Sequence, residues 1–205
     1  MMLPTHALVG MALGLPIAVF APELAPAALA GGLLGGVFPD LDLYSGHRRT
    51  LHFPTLYPVA AVVAAVVAVA VTAPVSVGLA VGIAAAAAHC RMDVYGSGLE
   101  LRPWEGNSRR AVYDHVSGEW IKPRRLVSYD GSPGDLALAA TVAVPLYLLV
   151  GWPYDAIVLV AVGVGASYTL LRRYLAELAP VVFGVVPGAL SKYVPERYRN
   201  GETER

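Results

Sequence analysis

The chain has 205 residues, of which 56% are hydrophobic and only 15% are charged, and its mean hydropathy is +0.57. Soluble domains average about 25% charged residues, so this composition excludes an ordinary soluble domain and indicates a membrane protein. The 15 basic residues balance the 15 acidic residues, which gives no support for nucleic-acid binding.

Six apolar segments predict an all-α, multi-pass transmembrane helical bundle. They cover residues 5–20, 24–38, 51–72, 74–93, 136–150 and 156–174. The first segment has no Lys or Arg before its hydrophobic run, so we expect a retained helix rather than a cleaved signal peptide. Residues 175–193 are apolar but interrupted by Pro180 and Pro187, which leaves open whether they span, re-enter or lie on the membrane.

Glycine pairs four residues apart occur in the first, second and fourth segments. They are Gly10/Gly14, Gly31/Gly35, Gly32/Gly36 and Gly78/Gly82. This small-xxx-small spacing lets membrane helices approach closely, and it predicts a tight hairpin of the first two helices.

Residues 94–131 form the one long polar insertion in a chain that we treat as a single membrane-embedded domain, 1–205, with a polar tail at 194–205. Residues 111–121 predict a short hairpin that turns at Ser117-Gly118. Ser132-Pro133 predicts a capped start of the fifth helix. Lys and Arg concentrate in residues 43–50, 91–131 and 172–173, so the positive-inside rule predicts that both termini and the insertion are cytoplasmic.

This helix order brings five candidate ligands to the same cytoplasmic end of the bundle. His6 begins the first helix, Asp40 ends the second, His52 begins the third, and His89 and Asp93 end the fourth. His89 and Asp93 are four residues apart, so they share one helix face. Each residue alone is explained as a polar group where a helix meets water. Together they predict a site for a hard or borderline metal ion.

Other polar residues have weaker signals. Asp42 lies two residues from Asp40 in a Pro-Asp turn, while Arg48 and Arg49 serve either as topology anchors or as phosphate ligands. His115 and Glu119 are also four residues apart, but they lie across the predicted turn and fit a surface hairpin. Cys90, the single cysteine, excludes an intrachain disulfide and fits a small core residue.

The same residues resemble the LexA-binding, inner-membrane-associated, metal-dependent hydrolase family. The matching elements span the first hundred residues: Thr5-His6, the Gly35–Asp42 stretch, the His47–His52 stretch, and His89–Asp93 with Gly96-Ser97-Gly98 after it. The order of ligands is also similar, more faintly, to zinc-dependent phospholipase C and single-strand nucleases. Those enzymes hold three zincs, and only His115 and Glu119 remain here as further ligands, so one or two metals are expected.

The resemblance implies hydrolysis of a phosphoester, possibly lipid-linked, at the cytoplasmic membrane face. A divalent metal, zinc first and manganese or iron as alternatives, would be held by His6, Asp40, His52, His89 and Asp93. Asp42 would be a bridging ligand or general base, and Arg48 or Arg49 would hold the phosphate.

Two other functions stay open. A non-catalytic membrane scaffold with a structural metal site fits the same composition. A divalent-cation transporter fits less well, because helices three to six offer almost no polar groups near the middle of the membrane. Besides the lipid bilayer, no partner and no oligomeric state is predicted.

Overall fold

The protein is nearly all-helical in a computed structural model that describes residues 1–191, 193–195 and 198. Most of the predicted 194–205 tail lies outside the described residues. The helices are α1 (Leu3–Phe20), α2 (Ala25–Val37), α3 (Leu56–Val71), α4 (Pro74–Tyr95), α5 (Pro133–Leu149), α6 (Tyr154–Gly184) and α7 (Gly188–Ser191). Short 3₁₀ turns cover Pro22–Leu24, Phe38–Asp42 and Pro103–Glu105, and two strands are β1 (Val112–Asp114) and β2 (Glu119–Ile121).

The prediction of a helical membrane protein is confirmed. Within the described residues, four stretches are long and apolar enough to cross a membrane: Leu3–Phe20, Pro22–Asp42, Pro74–Tyr95 and Tyr154–Gly184. Helices α3 and α5 are equally apolar but have only 16 and 17 residues. At about 1.5 Å per residue they reach about 24–26 Å, slightly less than a hydrocarbon core of about 30 Å.

Two predicted helix boundaries were wrong. Helix α3 begins at Leu56 rather than at residue 51, so His52 lies in the loop before the helix. Pro54 disfavours the helical conformation of the residue before it, which accounts for the late start. Helix α6 continues through Pro180 to Gly184, because one proline removes only one hydrogen bond from a 31-residue helix; it ends before Pro187.

Glycines bring α1, α2 and α4 into backbone contact, as their spacing predicted. A Cβ atom on Gly10 would collide with the carbonyl group of Gly32, and one on Gly35 would collide with the carbonyl group of Gly82. Any larger residue would therefore push α2 away from α1 or α4. These contacts hold the ends of the three helices close enough for their polar side chains to meet.

The polar insertion is fixed to the same end of the bundle. Its hairpin pairs Val112 with Ile121 and turns as predicted. The backbone N–H of Arg124 donates to the Val94 carbonyl (2.7 Å). This bond satisfies one of the carbonyl groups that the end of α4 leaves without a partner inside the helix.

The start of α5 is tied to the start of α1. The Ser132 hydroxyl accepts from the N–H of Asp135, confirming the predicted cap. The buried Asp135 carboxylate accepts 2.7 Å hydrogen bonds from the Met2 N–H and the Thr5 hydroxyl. The start of α1 in turn meets the end of α4 through the Met1 amino group and Asp93, and the end of α2 where His6 approaches Gly36.

Candidate metal centre

Four side chains meet where α2, α4 and the loop before α3 converge. Asp40, His52, His89 and Asp93 each offer one ligand atom, and these atoms all lie within 4.8 Å of one another. His89 Nε2 is 3.4 Å from both Asp40 Oδ1 and Asp93 Oδ2, and His52 Nε2 is 3.4 Å from Asp93 Oδ2. Ligands about 2.0–2.1 Å from a tetrahedral zinc lie about 3.3–3.4 Å apart, so the spacing fits an ion of this size.

Three of the four ligand atoms are buried without a hydrogen-bond partner. They are His52 Nε2, His89 Nε2 and Asp93 Oδ2. A buried polar atom without a partner costs about 1–3 kcal/mol, and folded proteins contain few of them. Three such atoms that face one point are explained if a cation lies between them. The imidazole nitrogens and carboxylate oxygens at this point are therefore a donor set that fits a divalent metal ion.

The other nitrogen of each histidine is hydrogen-bonded away from this point. His52 Nδ1 donates to Asp42 Oδ2 (2.9 Å), and His89 Nδ1 donates to the carbonyl of Gly36 (2.7 Å). Such bonds fix the tautomer and the ring orientation and leave Nε2 free to bind a metal, as in most histidine metal sites. Burial opposes protonation of His52, but the hydrogen bond to Asp42 and the nearby Asp93 carboxylate outweigh it and raise the pKa of the ring.

Asp93 has a second, fully occupied oxygen. Its Oδ1 lies 2.9 Å from the amino group of Met1, 3.2 Å from His6 Nε2 and 3.2 Å from an Arg48 guanidinium nitrogen. Only Oδ2 is therefore left to face the two histidines. The Met1 amino group and the Arg48 guanidinium therefore hold Oδ1 in place and orient the Asp93 carboxylate.

His6, expected as a ligand, lies behind the group of four. Its ring stacks on that of His89 with centroids 3.7 Å apart, and its Nε2 faces Asp93 Oδ1. The compact group of ligand atoms does not include it. His6 nevertheless reaches the centre as the helix order predicted, because α1 is packed on α2 through glycine.

The two arginines occupy different places. Arg48 is buried, adopts φ +59°, and donates to the carbonyl of Ser97 (2.7 Å) besides its contact with Asp93. Arg49 is exposed, with its guanidinium carbon 4.6 Å from the centre of the Tyr113 ring. Of these two arginines, Arg49 is the one with its guanidinium at the surface.

Asp42 is completely buried, and its two oxygens are occupied by the loop. Oδ1 accepts from His47 Nδ1 (3.2 Å) and the N–H of Arg48 (3.2 Å). Oδ2 accepts from the N–H groups of Arg49 (3.3 Å) and Leu51 (3.1 Å), besides His52. The carboxylate therefore organises the loop before α3 and orients one candidate ligand, a role that sequence reasoning missed.

The remaining predicted residues lie outside this centre. His115 donates from Nε2 to the Arg49 carbonyl (2.7 Å), and Glu119 is exposed on β2. Neither belongs to the group of four ligands. Cys90 is fully buried, as expected of a core residue.

The centre is sealed except at one ligand. The side chains of His52, His89 and Asp93 are at most 1% exposed, whereas that of Asp40 is 20% exposed. Asp40 lies on the Phe38–Asp42 turn at the end of α2. Any molecule that reaches this centre from outside therefore passes Asp40.

Fold and site together define a helical membrane protein with a group of aspartates and histidines that could hold a metal ion. A model of the YdjM inner membrane protein family matches residues 1–173, and the chain belongs to this family. The match covers α1 to α5, the insertion and the first part of α6, and it supports location in a cell membrane. Neither the curated proteins nor the solved structures gave a match.

Proposed function

We propose that Asp40, His52, His89 and Asp93 bind one divalent metal ion, with zinc the best fit, and that the protein is a phosphoester hydrolase. The three unpartnered ligand atoms of His52, His89 and Asp93 are the observation that carries this proposal. Two imidazoles with carboxylates suit zinc, and they accept manganese or iron as well. A zinc ion held by these residues would lower the pKa of its bound water from about 16 to about 7.

Other residues of the chain orient the proposed ligands. Asp42 orients His52, while His6 and Arg48 hold Asp93 Oδ1 so that Oδ2 faces the centre. In this proposal Asp42 and His6 are positioning residues rather than the base and the ligand expected from the sequence. Asp40 is the one ligand with solvent access, so it is the group beside which a substrate oxygen enters.

Arg49 is the better candidate to bind a phosphate. Arg48 is committed to Asp93 and the Ser97 carbonyl, whereas the Arg49 guanidinium is exposed over Tyr113. A planar guanidinium can bind two phosphate oxygens at once. The substrate would be a phosphoester on a lipid or a membrane-associated molecule, since the centre lies at the end of membrane-spanning helices.

The proposed orientation places this centre on the cytoplasmic side. The insertion between α4 and α5 carries most of the basic residues, and cytoplasmic loops of membrane proteins are enriched in Lys and Arg. Both termini would then be cytoplasmic as well.

A structural metal in a non-catalytic scaffold is the second candidate, and one observation favours it. Structural zinc sites use four protein ligands, whereas catalytic sites use three and leave one position open. Four candidate ligands are present here, three of them sealed from solvent. The two functions differ in whether the partly exposed Asp40 can give up its position to water.

An activity screen separates these candidates. The purified protein, loaded with zinc, manganese or iron, is assayed with a phosphomonoester, a phosphodiester and a phospholipid. The hydrolase proposal expects turnover of one substrate that disappears in a His89→Ala/Asp93→Ala variant and persists in Asp114→Asn, which changes an acid of the hairpin outside the group of four ligands. Stoichiometric metal without hydrolysis of any of the three would instead support the structural role.

A further inference from the structure

A second pocket lies where the end of the polar insertion and the start of α5 meet α6. Its volume is about 360 Å³, within the range of about 300–1,000 Å³ that is typical of small-molecule sites. None of the described residues that line it belongs to the group of four metal ligands. Its lining includes Tyr129, Leu170, Arg172, Arg173, Tyr174 and Glu177.

Two opposite charges line this pocket without forming an ion pair. Arg173 and Glu177 are four residues apart on α6, so they share one helix face, and both are exposed. Neither takes part in an ion pair in the part of the chain that the structure describes. A base that precedes an acid by four residues is the less favourable order for a helical ion pair. The guanidinium carbon of Arg173 instead lies 5.5 Å from the centre of the Trp104 ring.

The neighbouring arginine of the pocket is already occupied. Arg172 is buried, and it donates from Nε to Asp130 Oδ2 (3.0 Å) and from Nη2 to the Leu101 carbonyl (3.2 Å). Arg173 is therefore the arginine that is available to a ligand. A guanidinium beside an aromatic ring keeps the N–H groups in its own plane, and these can bind two phosphate oxygens.

The depth of the pocket along α6 corresponds to the headgroup region of a membrane. Arg173 is 19 residues beyond Tyr154, or about 28 Å at 1.5 Å per residue, close to the core thickness of about 30 Å. Glu177 lies about 6 Å further out, within a headgroup region of about 5–8 Å per side. Leu170 and Tyr174 are 77% and 70% exposed, so the pocket opens onto the lipid-facing surface of α6.

We propose that this pocket binds the headgroup of phosphatidylethanolamine. Its phosphate accepts hydrogen bonds from Arg173, and its primary ammonium group donates to Glu177. Four bonds join the phosphorus to the nitrogen, a span of about 4–5 Å, and Cβ atoms four residues apart on a helix are about 5–6 Å apart. The ammonium group of this lipid lies further from the hydrocarbon core than the phosphate, in the same order as Glu177 and Arg173. The site is independent of the proposed hydrolase activity.

The two charges together select this headgroup over other phospholipids. Phosphatidylglycerol can pair with Arg173 but leaves Glu177 beside an anionic lipid without a cation. Phosphatidylcholine carries a cation, but its quaternary nitrogen has no N–H to donate to the carboxylate of Glu177. Soluble phosphoethanolamine has both charges but lacks the acyl chains that would lie against α6.

Thermal unfolding of the detergent-purified protein tests this proposal with the three phospholipids and soluble phosphoethanolamine as separate additions. Phosphatidylethanolamine well above its Kd is expected to raise the Tm by about 5 °C. The other two lipids are expected to give less than half of this shift, and soluble phosphoethanolamine less than about 1 °C. An equal shift with phosphatidylglycerol or phosphatidylcholine would overturn the headgroup selectivity. An equal shift with soluble phosphoethanolamine would overturn a lipid as the occupant.

Two variants separate this site from a diffuse charge effect. Arg173→Gln/Glu177→Gln is expected to lose the shift, whereas Arg109→Gln/Glu119→Gln removes one exposed base and one exposed acid from the insertion and should keep it. Arg173→Glu/Glu177→Arg keeps the net charge and places the acid first, which is the favourable order for the helix, yet it should also lose the shift. A full shift in this exchange variant, or its loss in the control pair, would refute the site.

Discussion

Replacing Asp42 by Asn weakens metal binding although Asp42 is outside the group of four ligands. The substitution keeps the shape of the side chain but leaves only one oxygen acceptor. Asp42 Oδ1 accepts two hydrogen bonds and Oδ2 accepts three, including that of His52 Nδ1. At least two buried donors therefore lose their acceptor.

The magnitude follows from two effects. Loss of a hydrogen bond that orients a ligating histidine typically costs 10–100-fold in metal affinity, equal to about 1.4–2.7 kcal/mol. Two unsatisfied donors at about 1–3 kcal/mol each also lower the free energy of unfolding by about 2 kcal/mol or more. Metal affinity must therefore be measured well below the Tm of the variant, by competition with a chromophoric zinc chelator.

A double-mutant comparison separates orientation of His52 from general destabilisation. Asp42→Asn should weaken zinc binding in the wild type but should have little further effect in a His52→Ala background, since its target is gone. Asp114→Asn is the matched control, because Asp114 also accepts a backbone hydrogen bond, from Val116, but lies on the hairpin, outside the group of four ligands. Unchanged zinc affinity in Asp42→Asn, or equal losses in both backgrounds, would refute the reasoning.

Three further predictions concern the fold and its orientation. Gly35→Ala should lower the free energy of unfolding by about 1–3 kcal/mol, because the new Cβ meets the Gly82 carbonyl. Gly163→Ala is the control, since its Cβ meets nothing within 4 Å, and it should leave the Tm unchanged or slightly raised. Equal effects of the two substitutions in thermal unfolding would contradict close α2–α4 packing. Burial disfavours the charged form of Asp130, but Arg172 and the Tyr168 hydroxyl outweigh this and lower its pKa. Its contribution to stability is then complete above about pH 4 and lost as the pH falls through the lower folded-state value, so Asp130→Asn should flatten the acid limb of Tm against pH; an unchanged limb would count against the ion pair. Protease added to sealed inside-out vesicles should cut the polar insertion, and cutting only in right-side-out vesicles would reverse the proposed orientation.

The convergence of the candidate ligands could be predicted from the sequence. Along the chain, short connecting segments between apolar helices alternate with polar or basic ones. Chain order alone therefore places His89 and Asp93 at the same end of the bundle as Asp40. The glycine spacing added that α1, α2 and α4 pack closely. Asp40, His52, His89 and Asp93 are the four predicted ligands whose atoms lie within one small volume.

The roles of individual side chains needed the folded loop. Asp42 and Asp40 look alike in the sequence. The path of residues 46–52 decides that the Asp42 carboxylate accepts the backbone N–H hydrogen bonds of the loop. Arg48 points inward and Arg49 outward, and the left-handed backbone conformation of Arg48 has no sequence signature, since such residues are mostly Gly or Asn. Pro54 is the one sequence feature that indicates the late start of α3.

Metal analysis of the purified protein tests the central claim most directly. The account predicts about one divalent metal ion per chain in the wild type, with zinc the most abundant, and its loss from a His89→Ala/Asp93→Ala variant that retains the helix content of the wild type. Asp114→Asn should keep the full metal content. Wild-type protein without stoichiometric metal, or the same metal content in the double variant, would contradict a metal centre at these residues.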